Sequence, residues 1–130
     1  MRSMGLILFL FAASALVGSS AASAHHGFTH YDMKKTITLT GVITAFEWSN
    51  PHCLVYVDVM GDDNQVQHWT LEMASTFAMS RRGWNKDTIK RGDQAVIETH
   101  PAENGAPVGI SASPSFALKF VVNGKEMPPR

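Results

Sequence analysis

The stretch Thr36-Ile37-Thr38-Leu39-Thr40-Gly41-Val42-Ile43-Thr44-Ala45-Phe46-Glu47-Trp48 decides the fold class of this chain. β-Branched residues dominate it, as suits a pleated, half-buried strand. Its alternation carries a fault. Ile37 and Leu39 share one parity, whereas Val42, Phe46 and Trp48 share the other, so the phase slips at Gly41. A slip at glycine inside a strand is what a β-bulge or a sharp bend produces. The reading is a long first strand bent at Gly41.

Downstream, Asn50-Pro51 breaks this strand, and His52 to Met60 resumes as a second. Gly61-Asp62-Asp63-Asn64 is dense in turn residues, so the second and third strands are expected to form a hairpin. The third, Val66 to Met73, sets Trp69, Leu71 and Met73 on one face and His68, Thr70 and Glu72 on the other. Ser75 is a candidate N-cap for a short helix carrying Phe77 and Ala78 and ending near Gly83. Lys90-Arg91-Gly92-Asp93 reads as a turn, Ala95 to Thr99 as a fourth strand and Ala102 to Pro107 as a loop. Part of Val108 to Ser113 reads as a fifth strand, and Phe116, Leu118, Phe120 and Val122 alternate as another. Asn123-Gly124 is a turn signal, followed by a frayed tail from Met127 to Arg130. One short helix between the third and fourth strands points to a mainly β chain, a small OB-like barrel of five to six strands. A small sandwich is the alternative.

Upstream, Arg2 precedes an apolar run from Leu6 to Val17, and Ala22-Ser23-Ala24 supplies the small residues of a cleavage site. The run is shorter than the ~20 residues of a membrane-spanning helix, so it reads as a cleaved signal peptide and not as an anchor. The expected organisation is a signal peptide over residues 1–24, an N-terminal arm over 25–35, an OB-like barrel domain over 36–122 and a C-terminal tail over 123–130. The expected location is the periplasm, with no membrane span once the leader is removed.

Charge is balanced, 11 basic residues against 11 acidic, which gives no electrostatic case for nucleic acid or an anionic membrane. Cys53 is the single cysteine, so there is no intramolecular disulfide framework. It lies in the apolar run Cys53-Leu54-Val55-Tyr56-Val57 and is expected to be buried. Spacings typical of zinc ligands, nucleophile elbows and phosphate loops are missing from the sequence.

Histidine carries the chemistry instead. The chain has six: His25, His26, His30, His52, His68 and His100. Cleavage after Ala24 would leave a free α-amine on His25, able to chelate a metal ion together with an imidazole, with His26 beside it and His30 within reach if the arm folds back. Nitrogen donors of this kind suit Cu²⁺, which heads the divalent series in affinity. The competing reading is a polar start to a flexible arm. His52 follows Asn50-Pro51 at a strand entrance, where proline fixes the local backbone and so pins a side chain. Its competing reading is a simple corner, with the imidazole capping a carbonyl. His68 and His100 read as surface or hydrogen-bonded residues, and the Arg81-Arg82 pair as a solvated helix end. Trp48, Trp69 and Trp84 read as core and core rim.

The segments His25-His26-Gly27-Phe28, Tyr31-Asp32, Leu39-Thr40-Gly41, Glu47-Trp48-Ser49-Asn50-Pro51-His52 and Arg82-Gly83-Trp84 resemble a bacterial family of small exported proteins, catalogued as domain of unknown function 6152. The resemblance covers nearly the whole mature chain and weakens from Ser111 to Arg130. It implies a periplasmic, OB-like domain and no established activity.

Three classes of function follow. The first is a periplasmic metal-binding protein, for copper, with His25, His26, His52 and His30 as candidate ligands. The second is a metal-free OB-like module for a small molecule, a glycan or a periplasmic protein partner. The third, ranked last, is an enzyme built on an N-terminal copper site, since so short a chain has little room to shape a substrate site around it.

Overall fold

The computed structural model describes residues 28–128. Strands β1 (Ile37–Glu47), β2 (Leu54–Met60) and β3 (Val66–Glu72) form an antiparallel meander, followed by helix α1 (Thr76–Arg81). Strands β4 (Gln94–Pro101), β5 (Val108–Ile110), β6 (Phe120–Val122) and β7 (Lys125–Glu126) complete the fold. β3 pairs in parallel with β5, β5 pairs with β4, and β4 returns to β1. Five strands therefore close a barrel in the order β1-β2-β3-β5-β4, with the helix between β3 and β4 as expected for an OB-like barrel. The β6–β7 hairpin is appended where β6 joins the free edge of β4 next to β5. Among the described residues no helix is long and apolar enough to cross a membrane.

The long first strand makes closure possible. Its first half, Ile37 to Val42, pairs with β4, and its second half, Gly41 to Glu47, pairs with β2. Gly41 belongs to both ladders. A Cβ there would collide with the backbone carbonyl of Asp58, so the close approach of β2 demands glycine. The phase slip itself lies three residues on. Ile43 is fully buried in phase with Leu39, and the register shifts between Ile43 and Ala45, which puts the bulge at Thr44 and not at Gly41.

The barrel interior is filled by Leu39, Ile43, Val55, Val57, Leu71 and Ile97, with Cys53 also fully buried as expected. Trp84 closes one end, edge-on to Phe46 at 6.1 Å and to Phe120 at 5.2 Å. Its indole Nε1–H donates to the Pro128 carbonyl at 3.1 Å, and the Met127 amide donates to Phe120. These bonds hold Met127 and Pro128, expected to belong to a frayed tail, against the barrel. Asn123 (φ 49°) and Gly124 (φ 78°) take the two left-handed positions that a tight β6–β7 turn requires.

Other elements differ in detail from the sequence reading. The helix buries Met79, whereas Phe77 is 71 % exposed and lies under the Arg81 guanidinium. Strand β6 begins only at Phe120, because Ser111 to Leu118 fold back on themselves through an Ala112–Ala117 bridge. Arg82 is not a solvated helix end: its Nη2 donates to the carbonyls of Ser113 (2.7 Å) and Phe116 (3.2 Å) inside that loop.

A histidine corner facing the arm

The corner between β1 and β2 is built by short polar side chains. The Asn50–Pro51 peptide is cis. Asn50 Oδ1 accepts from both the amide (3.1 Å) and the hydroxyl (2.9 Å) of Thr76, which ties the corner to the start of the helix. Ser49 Oγ donates to the His52 carbonyl at 3.1 Å and also reaches Glu47. Cys53 pairs through its backbone with Met73 and Ala74, so the ladder extends past β2 and fixes the backbone that carries His52.

His52 stands on the opposite side of the chain from buried Cys53, with its side chain 39 % exposed. Its Nδ1 lies 3.2 Å from Glu72 Oε1 and 3.2 Å from the Met73 carbonyl. The hydrogen bond is to the Met73 carbonyl, which can only accept, so the neutral ring carries its proton on Nδ1. That leaves the lone pair on Nε2. The other oxygen of Glu72 accepts from the Tyr31 hydroxyl at 2.8 Å. Burial, reinforced by the neighbouring Glu72 carboxylate, pushes the Tyr31 phenol well above its usual range and keeps it a donor. Burial also raises the Cys53 thiol, as suits an inert core cysteine.

Tyr31 brings the N-terminal arm into this arrangement. The Phe28 carbonyl accepts from the Tyr31 amide, Tyr31 bridges to Ala102, and the Asp32 amide donates to the Pro101 carbonyl. Phe28 packs on Phe116 (5.7 Å between rings), which in turn meets His100 edge-on. Beneath runs one cross-strand row, Glu47, Leu54, Glu72, Ile110 and His100, read off the strand registers. Ile110 is buried yet stands apart from the interior core cluster, as expected of a residue covered from outside.

The expected ligands are therefore placed unequally. His52 sits in the corner. His30 lies on the arm, lining with Tyr31, Ala102, Glu103 and Val108 an open cavity of about 310 Å³. His25 and His26 lie outside the described residues. Among the described residues no three His, Cys, Asp or Glu side chains converge to hold a metal ion. His68 is a surface residue paired with Asp58 at 2.6 Å, and His100 meets the Lys35 carbonyl at 2.8 Å.

Glu72 and Tyr31 were not singled out from sequence as partners of His52. Only the alternation of β3, which put Glu72 on the outer face, hinted at the first of them. Met73, Met79 and Met127, scattered in sequence, meet around a cavity of about 10 Å³ beside Trp84 and Arg82. That space suits no more than one water, and the guanidinium in its wall opposes a second cation.

The chain matches no curated protein and no solved structure in the comparisons made. A family model does match, over residues 14–112, from within the apolar N-terminal run to just past β5 and short of most of the C-terminal segment where the resemblance weakens. With most of its length and the whole β1–β5 barrel inside that match, the chain belongs to the family of unknown function DUF6152.

Proposed function

We propose that this is an exported, periplasmic protein that binds a transition-metal ion, Cu²⁺ foremost, between its processed amino terminus and His52. One observation carries the reading. His52 is a partly exposed imidazole whose Nδ1 bonds the Met73 carbonyl with the Glu72 carboxylate 3.2 Å away, an outer-shell arrangement of the kind that orients a metal-ligating histidine and leaves Nε2 as donor. The arm supports it. Tyr31 is fastened to the same carboxylate, and Phe28, three positions after residue 25 in sequence, opens the turn that ends at Tyr31. The three intervening steps span at most about 10 Å of extended chain. His25 would give its amine and imidazole, His26 a further imidazole and His52 the rigid nitrogen. His30, facing the cavity, would contribute only if the arm turns.

The test is Cu²⁺ titration of protein beginning at His25, beside a His52→Ala variant and a form with one extra residue ahead of His25. Both changes should weaken binding. Equal affinity in the extended form removes the amine from the site, and a silent His52→Ala separates the metal from the folded domain. The cavity between arm and loop favours a second reading, a metal-free binding module for a small ligand, which those two outcomes together would select.

A further inference from the structure

We infer that Glu72 is a positioning residue that couples the N-terminal arm to the His52 imidazole. The inference deepens the metal-binding reading and rests on it only for its effect on affinity. Each carboxylate oxygen of Glu72 faces a different donor group: Tyr31 O–H donates to Oε2, and Oε1 lies 3.2 Å from His52 Nδ1, whose own hydrogen bond goes to the Met73 carbonyl. The donors come from segments that share no direct side-chain hydrogen bond: Tyr31 from the arm, His52 from the β1–β2 corner. Glu72 itself is the last residue of β3, held on both sides by the pairings of Leu54 and Ile110. A rigid strand residue thus joins a peripheral arm to a corner side chain.

The chemistry requires a carboxylate. Only Asp and Glu, when ionised, accept at both terminal atoms. Glutamine has the same size and shape but would turn its amide –NH₂ toward one of the two donors, so one contact must break. Aspartate keeps both acceptors on a side chain one methylene shorter, from which both partners cannot be reached from the same backbone. Besides Tyr31 to Ala102, Asp32 to Pro101, Glu103 to His30 and His100 to the Lys35 carbonyl, the arm is held by this part-buried, charge-assisted bond from phenol to carboxylate. Loss of the Tyr31 contact should therefore loosen it measurably. The coupling is reciprocal by thermodynamic necessity: whatever favours the docked arm favours the Nδ1–H form of His52, and the reverse.

The test begins without metal. Ring-nitrogen NMR on neutral His52 in the native protein should show the proton on Nδ1. Tyr31→Phe, which keeps the ring and removes the hydroxyl, should shift the His52 ring nitrogens although Tyr31 does not touch them. It should also speed amide exchange at Asp32 and Glu103, roughly 10-fold for a lost charge-assisted bond. In a Glu72→Gln background the same substitution should have little further effect on either readout. A native Nε2–H tautomer, or a Tyr31→Phe variant that leaves the His52 nitrogens unmoved, overturns the inference. If Glu72→Gln does not fold, Tyr31→Phe alone decides. With Cu²⁺ added to protein beginning at His25, Glu72→Gln should weaken binding by about 10–100-fold. Native protein that binds no Cu²⁺ ends the metal reading, while the metal-free results still settle the role of Glu72.

Discussion

Tyr31 and Glu72, 41 positions apart, are joined by a 2.8 Å hydrogen bond from phenol to carboxylate. The bond has a signature in alkali. Burial first, then the Glu72 carboxylate, hold the Tyr31 phenol above its ordinary value of 10.0. For a group whose folded pKa is raised, the stabilisation is complete below the unfolded value and is lost as pH rises toward the folded one. The Tyr31 contribution should thus be constant with pH below about pH 10 and decline above it. Absorbance titration near the tyrosinate band should show native protein ionising later than unfolded protein. Tyr56, raised by desolvation and by its bond to Glu47, should contribute a smaller delay, and Tyr31→Phe should remove most of the difference.

Gly41→Val should destabilise the barrel by about 1–3 kcal/mol or more, because the new side chain meets the Asp58 carbonyl where both ladders of β1 overlap. A thermal melt unchanged from wild type would show that β2 can move away at no cost.

Thr99 offers a change of opposite sign. It is 0 % exposed and its hydroxyl has no hydrogen-bond partner. Thr99→Val keeps the shape and removes the unpaired polar group, so stability should hold or rise by up to about 1 kcal/mol. Gly109→Ala, by contrast, would drive a methyl into Thr99 and should lower the melting temperature.

Arg82 anchors the loop before β6 through two carbonyls. Arg82→Ala should cost about 1.5–3 kcal/mol, the range for hydrogen bonds to a charged donor. Arg82→Lys should recover only part, since an ammonium lacks the planar fork that reaches both carbonyls. Denaturant melts of the three proteins would rank them.

Much of the fold was legible because it was written locally. Ser75 caps its helix, Asn123-Gly124 turns its hairpin, and the alternation of Trp69, Leu71 and Met73 gives the inner face of β3. The misread details depended on distant partners. Gly41 was correctly singled out, but its reason is the approach of Asp58 from another strand, and the actual bulge at Thr44 shows only once Ile43 is known to be buried. Arg82 resembles a surface cation until the 113–116 loop folds over it. The corner was legible in part. Asn50-Pro51-His52 marked a pinned imidazole, whereas Glu72 and Tyr31 join it through strand register and arm docking, which no spacing in the sequence records.

The double duty of β1 also governs how the domain can come together. Ile37 pairs with Thr99, whereas Glu47 pairs with Leu54, so one strand makes both a short-range pairing and the longest-range pairing of the barrel ladders. The β1–β2–β3 meander can zip early, but the edge from Ile37 to Val42 stays open until β4 arrives. An open edge of that kind invites pairing with another chain. Closure rewards the long loop only at the end, which favours slow, all-or-none assembly over a stable half-barrel. A chain shortened before Gln94 would accordingly yield an associating fragment, not a smaller domain.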